Sequence, residues 1–290
     1  QKSGWVPFTD HSGELDRPGP PDDTWTKAVL ADVPTAAQVD AYLDTIIYGL
    51  PGNVRGGQQR ILQAKFEALG TTHLNHLIKR LPAPNYIRHT VYNTIRNNVT
   101  RDHLPALLAA IRKDPAVAVV LVQKGWEEDA IGTAREILLS HGPLPANEIA
   151  ALVTIATASP DPSINEDLFR HFVLADGGHS KMIPTLRKQP DFPLADAVRE
   201  AWFRARANLT SDSDDLAFHA IRLGDPEALR QAIAPLITNT NPAHRRHDSK
   251  RALLHAGVDQ PEGNDPATWA HTHVLQLQFH PERQTFHLPD

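Results

Sequence analysis

The chain has 290 residues, 41% hydrophobic and 22% charged, a balance that suits one large or two ordinary domains and excludes a disordered chain. Its net charge of -5 speaks against a protein whose main job is to coat nucleic acid. It lacks cysteine, which excludes disulfides, thiolate zinc sites and cysteine nucleophiles, and no apolar run approaches the roughly 20 residues that span a bilayer.

Residues 1–34 read as an irregular arm. Pro18, Pro20 and Pro21 withdraw backbone donors and fix φ, so no helix or central strand can continue through them. Trp5, Phe8 and Trp25 are apolar anchors that would hold this arm on the body. The chain begins at Gln1, and with the missing cysteine this fits an exported protein whose leader has been removed. A cytoplasmic fragment is the alternative.

From residue 35 the pattern becomes helical and stays so to 255. Thr35 caps a helix through Tyr48, with Val39, Tyr42, Leu43 and Ile46 on one face. Gln58–Leu69 follows, stopped by Gly70, and Thr72–Leu81 is a separate short helix broken by Pro82 and Pro84. Asn85–Val99 is longer, with Ile87, Val91, Ile95 and Val99 at every fourth position. Then come 102–112, 116–124, 127–140, 145–158, 164–175, 180–188, 194–208, 214–223 and 226–238, separated by Pro, Gly and Asp turns. Gly177 and Gly178 mark one such turn. Short helices joined by tight turns lie antiparallel to their neighbours.

A repeat underlies this series. His73, His103, His141, His179 and His219 begin or sit in similar stretches, at intervals of 30, 38, 38 and 40 residues. The turns at 159–162 and 224–226 also match. A period near 40 with two helices per unit marks an array of stacked helix pairs. The stretch from about 58 to 240 resembles HEAT or armadillo repeats, and Asp225-Pro226-Glu227-Ala228-Leu229-Arg230 is closest to that style. The resemblance implies an all-α fold, an α-α superhelix in which antiparallel helix pairs form a right-handed solenoid over residues 35–255.

Residues 256–290 read as a cap. Two alternating runs, 273–279 and 283–288, flank the turn at His280-Pro281 and predict a small C-terminal β-hairpin. Two strands alone are marginal, so the hairpin must pack on the last helices.

Three groups of residues attract a functional reading. Residues 61–113 hold eight Lys or Arg against two acids, and residues 114–179 hold three against ten. Lys79, Arg80, Arg88, Arg96 and Arg101 make the basic stretch a surface for an acidic partner or for phosphates. Trp126 and Trp202 lie 76 residues apart, two repeat lengths, and serve as anchors for a partner or for the core. HEAT-like DNA glycosylases use tryptophans, an aspartate and basic residues in this general way; the acidic run Glu127–Asp129 speaks against that likeness. The third group is histidine, with 16 in the chain and seven beyond residue 240. His244, His247 and Asp248 share a helix face, and His271 and His273 share a strand face. Arg245, Arg246, Lys250 and Arg251 would repel a cation there, so no metal is assigned.

No nucleophile elbow, P-loop or dinucleotide fingerprint is present. Gly52–Gly57 is glycine-rich but follows a helix, which argues against a phosphate cradle. The sequence therefore points to a non-catalytic scaffold that binds a protein or peptide and needs no cofactor. The alternatives are a nucleic-acid-binding or DNA-repair-like protein using the basic patch, and a metal-dependent activity in the histidine-rich tail.

Overall fold

The structure is a computed structural model and describes residues 27, 29–32, 34–48, 56–140, 142, 144–207, 213–238, 250–258 and 265–289. Most of the expected N-terminal arm lies outside the described residues, as do His141, His244, His247 and Asp248 and the side chain of His271. The described chain is helical apart from one small antiparallel hairpin at the C-terminal end. Two compact units divide it, residues 1–133 and 134–290.

In the first unit, α1 spans Val39–Tyr48 and buries Val39, Tyr42, Leu43, Ile46 and Ile47, the apolar stripe expected from 3.6-residue periodicity. α2 runs unbroken through Gly56–Ile78. The expected break at Gly70 does not occur. One glycine costs a helix about 1 kcal/mol relative to alanine. Leu62, Phe66 and Leu69 on one side of it and Leu74, Leu77 and Ile78 on the other are all buried, and that burial outweighs the penalty. α2 packs against α1, against α3 (Asn85–Asn98) and against α4 (Leu104–Ala110). α3 in turn packs against α5 (Val117–Lys124) and buries Ile87, Val91 and Ile95 together with Thr90 and Thr94. A 3-10 turn, Arg101–His103, precedes α4; its Thr100 and His103 form a reciprocal capping box.

In the second unit, most of α6 (Ile131–Ser140) leads to α7 (Ala146–Ala156). α7 is buried on nearly every side, from Glu148 through Val153 and again at Ile155 and Ala156. A helix apolar all round belongs at the centre of its unit. α8 (Asn165–Leu174), α9 (His179–Leu186), α10 (Leu194–Ala207), α11 (Ser213–Arg222) and α12 (Pro226–Thr238) follow. α7 packs on α9, α8 on α10, α9 on α11, α10 on α11 and α11 on α12. Residues 250–255 are helical, and α13 (Pro266–His273) packs on α12.

The hairpin is shorter than its sequence suggests. β1 is Gln278–His280 and β2 is Thr285–His287, paired through Phe279 and Phe286. His273 ends α13 rather than starting a strand, so His271 and His273 do not share a strand face. The cause is local. Asp265 accepts from the Thr268 amide at 3.1 Å and hydroxyl at 3.0 Å, and Pro266 follows it, which together start a helix. The hairpin does dock on the last helices. The Phe286 amide donates to the Ala256 carbonyl at 2.7 Å. Phe279 lies against Gly224 in the α11–α12 turn, where a Cβ would stand 2.4 Å from the ring, and Thr285 lies against Gly257.

Candidate functional site

Among the described basic residues, Arg80 is the most heavily engaged. It bonds Asp44 through Nε at 2.8 Å and Asp40 through Nη1 at 2.7 Å, and Nη1 and Nη2 also reach the carbonyls of His76 and Asp40. His76 bonds the same Asp40 at 2.9 Å. The His76 and Arg80 hydrogen bonds hold the Asp40 carboxyl below its ordinary range. Arg80 thus fastens the end of α2 to α1. Arg88 faces the buried carboxylate of Asp114 at 3.5 Å and lies 5.6 Å from the Tyr92 ring centre. Arg101 pairs with Asp129 and stands 5.3 Å from the Trp126 ring. Lys79 is exposed and Arg96 half-buried, and neither pairs with a carboxylate among the described residues.

Both tryptophans are buried. Trp126 is 9% exposed under Arg101, and Trp202 is 3% exposed with its ring 4.9 Å from Phe203. Phe203 is itself 46% exposed. The first unit holds Lys79, Arg80, Arg88, Arg96 and Trp126, and the second holds Trp202.

Histidines of the repeat-like stretches do different work. His103 caps the turn before α4, and buried His179 bonds the Phe172 carbonyl through Nε2 at 2.9 Å. His273 bonds the Trp269 carbonyl at 2.8 Å and stacks on that indole. Among the described residues, no group of three or more His, Asp or Glu is arranged to hold a metal ion. No helix among them is long and apolar enough to cross a membrane. A crevice lined by Arg135, Leu138, Leu139, Ile164, Asp167 and Leu168 offers about 10 Å³, no more than a single water requires.

Sequence reasoning missed the recurrent polar device of the fold. Arg88 faces Asp114, Arg135 bonds Asp161 at 2.7 Å, and Arg199 bonds Asp225 at 2.5 Å. Each aspartate lies 26 residues after its arginine and directly precedes a proline. The Asp-Pro turns are visible in the sequence; the recurring arginine is the signal that would have linked them. Each carboxylate also accepts from the backbone of the turn that follows, at Ala116, Ser163, and Glu227 with Ala228.

No protein-family model, no curated protein and no solved structure matches the chain.

Proposed function

We propose that the chain is a non-catalytic scaffold that binds a protein or peptide on the surface of a helical-repeat array. On this reading the helices are antiparallel pairs stacked into a right-handed superhelix of HEAT or armadillo type. One observation carries it. Helices two apart in sequence touch: α2 with α4 and α3 with α5 in the first unit, and α7 with α9, α8 with α10 and α9 with α11 in the second. Stacked pairs produce that pattern, because each helix meets its counterpart in the next pair.

The buried charged groups fit the same reading. Asp114 and Asp225 are spent on caps and ion pairs that hold turns, which is structural work. Lys79 and Arg96 are left to meet a partner on the first unit. Arg80 and Arg88 are held in ion pairs and Trp126 and Trp202 are buried, so on this reading they support the surface that a partner meets.

Affinity capture with the tagged chain, followed by mass spectrometry and by re-binding of each purified candidate, tests this. The expected result is at least one protein that re-binds stoichiometrically and is weakened by Lys79→Ala with Arg96→Ala. Salt-sensitive binding of DNA or RNA lost in Arg88→Ala with Arg96→Ala, without any protein partner, would overturn it in favour of a nucleic-acid binder.

A further inference from the structure

Positive charge in the second unit gathers around α11, which packs on α9 and carries residues 250–255 against its Phe218. Arg187 caps the C-terminus of α9. α11 carries Asp215, Phe218, His219 and Arg222, and the helical segment 250–255 carries Arg251 and His255. Phe218 joins the last two elements. The His255 ring lies 4.4 Å from the Phe218 ring, tilted by 35°, and the Arg251 guanidinium lies 4.5 Å from the same centroid. An arginine laid on an aromatic ring keeps its N–H edge free to donate.

Arg187, Arg222 and Arg251 are exposed, and none of them pairs with a carboxylate among the described residues. The buried Nδ1 of His255 meets no hydrogen-bonding atom there either. Burial and the Arg222 charge hold both His219 and His255 below the ordinary histidine range. Arg187 and His179 add to this at His219, and Arg251 and His219 add to it at His255. Among the described residues, Asp215 opposes them. Among the described residues, Arg187 and Arg222 thus act on His219, Arg222 and Arg251 act on His255, and Asp215 is the carboxylate that opposes them, in a chain whose net charge is -5.

We propose that this cluster on α9, α11 and residues 250–255 is the docking site for an acidic segment of a protein partner. The inference rests on the scaffold reading above and names the chemistry of what is bound. Carboxylates of the segment accept from Arg187, Arg222 and Arg251, and the anionic charge relieves the repulsion among them. The same charge favours protonation of His219 and His255. Binding accordingly takes up protons and tightens as pH falls through the histidine range. The cluster is compact, confined to three short elements, whereas a nucleic-acid backbone asks for an extended basic stripe.

Fluorescence anisotropy tests the site, with the full chain titrated into a dye-labelled peptide of alternating Glu and Gly. The expected result is saturable binding, tighter at about pH 6 than at about pH 8. The Arg222→Ala, Arg251→Ala double variant should weaken it roughly tenfold or more, since charge-assisted bonds are the strong ones. Both arginines are exposed, and circular dichroism checks that the variant folds. Absence of saturable binding, or equal binding by wild type and variant, would overturn the proposal. So would tighter binding of single-stranded DNA, or displacement of the peptide by inorganic phosphate at equal charge. A purified partner bound equally by wild type and variant would remove this site and leave the scaffold reading standing. Failure of any partner to re-bind would remove that reading as well.

Discussion

Arg199 Nε donates to Oδ2 of Asp225 at 2.5 Å, while Oδ1 of the same carboxylate accepts from the amides of Glu227 at 2.9 Å and Ala228 at 3.1 Å. One oxygen faces another helix and the other caps the helix that its own residue begins. The carboxylate is buried and the arginine is 49% exposed, so the two partners contribute unequally. Asp225→Ala removes the cap and the acceptor together and should cost about 1–3 kcal/mol. Arg199→Ala leaves the cap intact and should cost under about 1 kcal/mol, because solvent screens its charge. Urea unfolding of both variants checks the order; an equal loss would mean the cap adds nothing.

Arg135 makes a different use of the same geometry. Its Nη1 reaches Asp161 at 2.7 Å, while Nε and Nη2 donate to the carbonyls of Ala156 at 3.1 Å and Ser159 at 2.7 Å. Three acceptors in one fork suit a guanidinium and not an ammonium. Arg135→Lys should therefore destabilise by about 1–2 kcal/mol although the charge is kept. Thermal melts of the lysine variant read this directly, and an unchanged midpoint would show that charge alone suffices.

Gly224 has φ of +90°, and its Cα faces the Phe279 ring closely. Gly224→Ala meets both a backbone penalty and a ring that must move, so a loss of about 2–3 kcal/mol is expected. Combining it with Phe279→Ala should cost less than the two single losses added, since the clash disappears with the ring. Simple additivity in the double-mutant cycle would mean that the hairpin does not press on this turn.

The imidazoles of His219 and His255 are held below their ordinary pKa of 6.5. The unfolded chain then binds more protons than the folded one between that value and the lowered one. Stability should be full above about pH 6.5 and fall as pH drops through this window. Replacing both by Gln should flatten the fall, measured as denaturation midpoint against pH. A slope unchanged in the double variant would assign the acid sensitivity to other groups.

Much of the fold was legible because its punctuation is chemical. Asp-Pro and Gly turns stop the backbone ladder, and the stripe Val39, Tyr42, Leu43, Ile46 is buried as its spacing predicts. Gly70 is a poor stop signal here because the burial of Phe66 and Leu77 on either side outweighs its local propensity. The alternation at 273–279 misled because a helix end and a strand both tolerate it over so few residues; the Asp265 cap decides between them. Charge was visible at Arg80 and Arg88, but their carboxylate partners lie 26 or more residues away, beyond any local pattern. The cluster around Phe218 was hidden for the same reason, since it exists only once residues 250–255 lie on α11.

The shared carboxylate of Asp225 also links two openings that would otherwise be independent. Fraying the first turn of α12 releases Oδ1, and the aspartate then loses the orientation that holds Arg199 on α10. The amides of Glu227 and Ala228 should thus exchange with solvent in step with that tether rather than as a loose helix end. Asp114 and Asp161 occupy corresponding positions, so each of these three turns, at Asp114, Asp161 and Asp225, ties a local element to a distant one.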